Sequence, residues 1–321
     1  MQNLKSKQII MEKWGIIFCP KGKNTKKEWQ KFAQVLKSKK VDYDYVQSEG
    51  DTDVSRLVNM MIDNGYTTII IVGGDAGLND AVNTLMQKDF SIRQKISLGV
   101  IPNGISNDFA KFWGIDGDNI GETVDALIRC RTRKVDVGCI HYKTEKDNRL
   151  IPCKRHFINC VNVGLVAAIT NLRRQTRTFF FDYLGTDPLS YIFSTLLLGF
   201  QRLDYKMKMR INDEEINGKI MTVCVSNARG YGQTPSAVPY NGKLDVSLVS
   251  NDGMTNFVEG AYLMYNKRFL NHKSVRPYRT DKVIFSKAKH ALVSVDSRVL
   301  STPVGEFYID IEQEVLNFII P

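Results

Sequence analysis

Between Trp14 and about Arg133, short apolar runs alternate with amphipathic stretches of helical period. "WGIIFC", "YDYVQ", "TTIIIV" and "SLGVIP" read as strands. "KKEWQKFAQVLKS", "DVSRLVNMMIDNG" closing on Gly65, and "LNDAVNTLM", opening near Leu78, read as helices. Strands alternating with helices of this length predict βαβ units and a parallel sheet, and the unbroken run Ile69–Val72 suits a strand covered on both faces. Ligands in such sheets bind beyond the carboxyl ends of the strands, which directs attention to "PKGKNTK", "VQSEGD", "GGDAGLN" and "PNGISND".

After "RKVDVG" the texture changes to runs such as "HFINCVNVG", "KMKMRI", "KIMTVCVSN", "LDVSLVS", "KVIFS", "ALVSV" and "FYIDI". Turn signals separate them, NG at Asn217 and Asn241 and DG at Asp252, so this half reads as an antiparallel sandwich. The boundary falls near residues 132–136. Helical stretches around Pro188–Phe200 and Thr255–Asn266 interrupt the sandwich. "FFFDYLGTDPLSYIFSTLLLGF" is cut by Asp182, Asp187 and Pro188 to an apolar run well short of the ~20 residues a membrane span needs. It suits core packing, or an interfacial helix flanked by Arg173, Arg174 and Arg177.

At 321 residues, 43% hydrophobic and 24% charged, the chain has room for about two domains with substantial cores. Its opening is polar, with no basic-then-apolar leader, so a cytoplasmic protein is expected. Six cysteines are scattered without a CxxC pair, which fits reduced thiols better than disulfides. The net charge is +10, and eleven lysines precede residue 41 against only Glu12 and Glu28. Such a surface suits polyanions: nucleotide phosphates, anionic lipid head groups or nucleic acid. Nucleic acid is disfavoured because no recognised module or interleaved aromatic pattern accompanies the charge.

The chemistry concentrates where the third strand runs into Gly73 and Gly74. Glycines at such a turn let backbone N–H groups approach an anion, and the helix behind them adds a favourable dipole. Asp75 is an odd companion for a phosphate. At roughly 4 Å and an effective dielectric near 20, the two repel by about 4 kcal/mol. A bridging divalent cation or a proton released by a substrate hydroxyl relieves that repulsion, and both belong to phosphoryl transfer. An aspartate ahead of a helix also serves simply as an N-cap. The next strand ends in "LGVIPNGISNDFAKFWGI", which brings Gly104, Asn107 and Asp108 to the same sheet edge.

"GGDAGLNDAVN" followed at this distance by "LGVIPNGISNDFAKFWGI" resembles the diacylglycerol kinase catalytic family, whose common forms are GGDGTLNEV and LGxIPxGTxNDFAR. That family includes bacterial diacylglycerol and other lipid kinases and the sphingosine and ceramide kinases. The likeness continues through "CPKGK", "HFINCVNVGLVA", "SNARGYGQTPSAVPYNGKLDVSLV" and "ALVSVDSRVLSTPVGEFYI", covering about Trp14 to Pro321. It implies an α/β nucleotide-binding domain over residues 10–133 with a parallel sheet, a C-terminal β-sandwich domain over residues 134–311 that shapes the acceptor site, and a last segment, residues 312–321, returning to the first domain. It further implies ATP and Mg²⁺ as cofactors, a lipid acceptor reached at an anionic membrane surface, and peripheral membrane association. A homodimer is left open.

Carried over by motif, the nucleotide site comprises Gly73, Gly74, Ala76, Gly77, Gly104 and Asn107, with Pro20, Gly22 and Asn24 as further loop candidates. Asp75 is the expected central acid and Asp296 the second catalytic candidate. Asp108 is expected to bind metal, position the hydroxyl or cap the helix beginning at Phe109. The sequence also departs from the pattern. Ala76 and Gly77 stand for GT, Ile105 for Thr, and Cys19 for Asn. Tyr240 and Asn241 replace the acids of LDDG, leaving Asp245 as the candidate metal ligand there. Arg298 replaces the Glu of DGE, a proposed general base, and an arginine cannot accept a proton. Arg298 instead suits an anion, ATP or an acidic acceptor. Two alternatives follow: a nucleotide- or lipid-binding relative with impaired catalysis, or a soluble-substrate kinase of the NAD kinase type.

Overall fold

The computed structural model describes residues 13–20, 25–50, 53–104, 107–172, 204–250, 269–300, 303 and 305–321. The expected helices around Pro188–Phe200 and Thr255–Asn266, the Arg173, Arg174 and Arg177 group, Gly22, Asn24 and Ile105 lie outside the described residues.

The first half comprises β1 (Trp14–Phe18), α1 (Thr25–Ser38), β2 (Tyr43–Gln47), α2 (Asp53–Asp63), β3 (Thr68–Gly73), α3 (Asp75–Met86), α4 (Phe90–Arg93), β4 (Ser97–Pro102), α5 (Asp108–Phe112) and α6 (Ile120–Ile128). The strands lie parallel in the order β4, β3, β1, β2, with Ile71 between Ile17 and Val100. Ile69 and Ile71 pack with Leu57 and Val58 of α2 and Leu78, Val82 and Leu85 of α3. Ile70 and Val72 face the other way, onto Trp29, Phe32 and Leu36 of α1 and Val124 and Leu127 of α6. Cover on both faces explains the unbroken apolar run, each side chain contributing about 1.5–3 kcal/mol by burial. α2 stops where Gly65 takes φ +82°, the left-handed conformation that ends many helices.

The second half is antiparallel: β5 (Arg131–Lys146), β6 (Arg149–Phe157), β7 (Cys160–Gly164), β8 (Tyr205–Ile211), β9 (Glu214–Ser226), β10 (Leu244–Ser250), β11 (Val275–Thr280), β12 (Lys282–Ala288), β13 (Val293–Val295), β14 (Arg298–Val299) and β15 (Phe307–Ile320). In β8, Tyr205, Met207, Met209 and Ile211 are buried and the intervening Lys206, Lys208 and Arg210 exposed, the alternation of a half-covered strand. One turn reading needs correcting. The β8–β9 hairpin turns at Asn212 and Asp213, while Asn217 and Gly218 lie within β9 opposite Lys208 and Met207. The β5–β6 hairpin turns at Asp147 and Asn148, both at positive φ, and its polar tip gave no apolar alternation to read.

β15 ties the halves together. It runs antiparallel to β5 from Tyr308 opposite His141 to Ile320 opposite Arg131. Its start pairs with β12, and near its end Asn317 and Phe318 pair in parallel with Ser97 and Leu98 of β4. One continuous sheet therefore passes through both halves. This connection holds the end of β6 and the turn after β13 against α3, where the two halves share polar contacts.

Candidate active site

α3 begins one residue after β3 ends, with Gly74 as N-cap and no side chain capping it. The N–H groups of Ala76 and Gly77 precede the first intrahelical bond, from Leu78 N to Gly74 O, and belong to the positive end of the helix. A Cβ on Gly104 would stand 2.5 Å from Gly74 Cα and 2.6 Å from Asn107 Oδ1. The two glycine turns therefore touch backbone to backbone, and only glycine permits that approach. Beneath them, Cys19 packs under Gly73 and Gly77, its thiol pushed up to about 11 by burial. It fills space as a neutral thiol.

Asp75 is the first helical residue of α3 and is nearly buried. Its carboxylate does not cap its own helix. It accepts from the backbone N–H groups of Asp108 (3.0 Å) and Phe109 (3.4 Å), at the start of α5. Two helix N-termini thus face this one carboxylate, which accounts for a negative charge in an anion-binding turn. Capping α5 is Asp75's task and not that of Asp108, contrary to one expectation for Asp108. Asn107, at φ +49°, donates through Nδ2 to Gly104 O (3.0 Å) and accepts at Oδ1 from Gly104 N (2.9 Å). Both ends of its amide shape the Gly104 turn.

Asp108 lies beside Asp75 in the first turn of α5. Burial raises its carboxyl to about 6, the Asp75 charge adds to the rise, and Lys111 and Arg229 oppose it. The Asp75 charge also reaches Asp296, which burial raises to about 7. Asp75 therefore lies close enough to act on both of the others. Asp296 is the most enclosed, at 1% exposure. Its oxygens accept from Ile158 N (2.8 Å), Asn159 N (3.1 Å), Cys160 N (2.8 Å) and Asn79 Nδ2 (2.8 Å). This ring of donors ties the β6–β7 turn to α3 and surrounds the carboxylate expected as the second catalytic acid.

One face of α3 carries the rest of the junction. Asn79 also donates to His156 O (2.9 Å), Asn83 accepts from His156 N (2.9 Å), and Asp80 accepts from Arg155 (2.8 Å) and from Arg298. Arg298 thus lies against Asp80, half-buried; burial pushes the Asp80 carboxyl up while the two guanidiniums pull it down. Near Asp296, the hydroxyl of half-buried Tyr231 lies 2.6 Å from Ser297 Oγ; desolvation pushes its pKa up, and the charges of Asp75 and Asp296 add to the rise. Sequence reasoning missed Asn79, Asp80, Arg155, His156 and Tyr231. Asn79 and Asp80 stood inside "GLNDAVN", where their helical spacing was the available signal.

Other candidates stand apart. Pro20, just past β1, is half-buried. Asp245 on β10 holds Arg279 of β11 in a two-pronged pair, Nε at 3.0 Å and Nη2 at 3.3 Å. The guanidinium neutralises the carboxylate that was expected to bind a metal.

The donor set fits the expected groups. An uncapped helix start behind touching glycines suits a phosphate, and the neighbouring Asp75 and Asp108 carboxylates suit a hard divalent cation. Comparison with known proteins agrees. Residues 13–140 match the diacylglycerol kinase catalytic domain, and residues 160–310 match the YegS C-terminal NAD kinase beta sandwich-like domain. A "Probable lipid kinase YegS-like" of Shewanella frigidimarina is 28% identical over 62% of this chain and 60% of its own length. The chain thus spans under two thirds of that relative. A diacylglycerol kinase of Bacillus subtilis is 23% identical over 75% of this chain and 72% of its own. A solved diacylglycerol kinase structure from Bacillus anthracis superposes with a TM-score of 0.65 at 17% identity, covering 97% of both chains, a likeness of fold. The chain thus carries a diacylglycerol kinase catalytic domain over residues 13–140 and a YegS-type sandwich domain over residues 160–310, an α/β domain followed by a β-sandwich.

Proposed function

We propose that this protein is a lipid kinase that uses ATP and Mg²⁺ to phosphorylate a lipid hydroxyl, diacylglycerol-like or sphingoid-like. The observation that carries the reading is the Asp75 carboxylate held between two helix N-termini, beside glycine turns too tight for any side chain. The α3 start and the Gly104 turn would hold phosphate oxygens by backbone N–H groups. Bound magnesium would supply positive charge between the triphosphate and the Asp75 carboxylate, leaving Asp108 to deal with the hydroxyl proton. The two backbone N–H groups of α5 fix the orientation of the Asp75 carboxylate at the edge of the glycine turns. Asp108, raised to about 6, is the group best poised to accept the hydroxyl proton near neutrality.

The acceptor would come from a membrane surface, with the basic face against anionic lipid. The contact we propose is peripheral; among the described residues no helix is long and apolar enough to cross a bilayer. The test is incubation with a total membrane lipid extract, Mg²⁺ and labelled ATP, followed by mass spectrometry of the products. A labelled phospholipid is expected. NAD phosphorylation in its place would move the protein to the soluble-substrate class. A second reading, a binding protein without turnover, draws on Arg298, which pairs with Asp80 where the family carries a glutamate. Saturable ATP binding without lipid-dependent ADP release would select it.

A further inference from the structure

A cluster remote in function from the glycine turns lies across β5, β6 and β15. Asp310 stands opposite Cys139, and Cys139 opposite His156, in three adjacent strands. His141 and Glu312 lie two residues along their strands and so share that face. One thiol, two imidazoles and two carboxylates therefore occupy a single patch of sheet. The ligand atoms of Cys139, His156 and Glu312 all lie within 4.8 Å of one another, and so do those of Cys139, His141 and Asp310.

We propose that this patch is a site for one zinc-class divalent ion, centred on the Cys139 thiolate and completed by His156 and Glu312, with His141 and Asp310 on the same thiol's other side. The donor set is the borderline mixture of sulfur, imidazole nitrogen and carboxylate oxygen that zinc prefers over magnesium or calcium. Tetrahedral zinc holds its ligand atoms about 3.4–3.6 Å apart, so the side chains need move by only about an ångström to close on an ion. Each imidazole already meets a carboxylate, His156 Nε2 to Glu312 at 3.2 Å and His141 Nε2 to Asp310 at 3.1 Å. The proton bridging each pair occupies the kind of position an ion would take, and the ion displaces it together with the thiol proton. Cys139 and His156 are buried, while His141 and Asp310 are about a third exposed and Glu312 40%, so the patch opens to solvent on that side. The His156 backbone is fixed by Asn79 and Asn83 of α3, so the ligand is held before the ion arrives. Such an ion would clamp β15 to β5 and β6 beside the point where β15 passes between the halves.

The site stands independently of kinase activity, and its test reads the metal directly. Metal-free full-length protein is titrated with Co²⁺ and then Zn²⁺, following the sulfur-to-cobalt charge-transfer band. One equivalent of Co²⁺ with that band, displaced by Zn²⁺, is expected. The band should vanish in Cys139→Ser, and affinity should fall at least tenfold in His156→Gln, each variant checked for folding by circular dichroism. Absence of the band, its survival in Cys139→Ser, or unchanged affinity in a folded His156→Gln overturns the proposal.

Discussion

Two aspartates mark the two halves of the junction, and they resemble each other until their surroundings are compared. Asp75 accepts two backbone N–H groups from α5; Asp296 accepts three from residues 158–160 and a fourth from Asn79. Both are buried acids at the ends of strands. Asp75, however, stands at a helix start among glycine turns, whereas Asp296 is enclosed on every oxygen it offers. Hydrogen-bond donors fix a carboxylate in either case. What separates the two is their setting: Asp75 lies among glycine turns that a phosphate can approach, and Asp296 lies inside a closed ring of donors.

The contrast can be broken by exchanging each carboxylate for an amide. Asp75→Asn keeps a cap oxygen for α5 but loses the charge, so lipid-dependent ADP release should fall at least about a hundredfold. Nucleotide affinity by calorimetry should change only a few-fold, and the cap should cost about 1 kcal/mol. Asp296→Asn sets an amide N–H₂ against a ring of donors, so its effect should appear as about 1–3 kcal/mol of lost stability in denaturant unfolding. If Asp75→Asn turns over normally, that residue is only a cap. If Asp296→Asn is as stable as the parent, the ring of donors does not hold the junction.

Gly104→Ala probes the first half's edge alone. Its Cβ would fall 2.5 Å from Gly74 Cα, backbone against backbone, and neither turn can yield without moving a helix start. A loss of about 1–3 kcal/mol is expected, with turnover reduced in proportion to the displaced N–H groups. A thermal melt and the ADP-release assay measure both.

The same contrast explains what the sequence reveals. The glycine turns and Asp75 are local: a strand, a tight turn and a helix start lie within ten residues, and their chemistry is written consecutively. The Asp296 ring is assembled from residues 79, 158–160 and 296, which come together only through the pairing of β7 with β13 and the packing of β6 on α3. No periodicity reports such a meeting. Parallel strands covered on both faces are likewise legible as apolar runs, while the β5–β6 hairpin, polar at its tip, is not. The helix boundary missed at Asp75 has a similar cause: Ala76 and Gly77 give no apolar periodicity, so α3 seems to open at Leu78 although it begins three residues earlier.

A smaller effect sharpens the comparison where the halves touch. Arg298→Glu restores the family's residue, yet places a carboxylate against Asp80 in place of a guanidinium. Asp80 is buried and Arg155 still holds it, so the loss should be about 1–3 kcal/mol. Adding Asp80→Asn should recover part of it, a coupling that a double-mutant cycle isolates. Independent, additive losses would mean that Arg298 acts elsewhere.

The smallest effect is a pair of opposed pH slopes. Asp108 has a folded value of about 6, above the ordinary aspartate value of 3.8. Between those values the folded state holds the proton more tightly than the unfolded one, so stability from this group falls as pH rises from about 4 to about 6 and is level above. Asp296, raised to about 7, extends the same decline upward. If Asp108 accepts the substrate proton, turnover rises through the same interval, because only the ionised form can take it. Activity and stability should therefore run in opposite directions between pH 5 and 7, measured by ADP release and by denaturant unfolding. In Asp108→Asn the activity limb should disappear and the stability slope should shrink to the part due to Asp296. Loss of the stability slope with an intact activity limb would take the proton away from Asp108 and return it to Asp75.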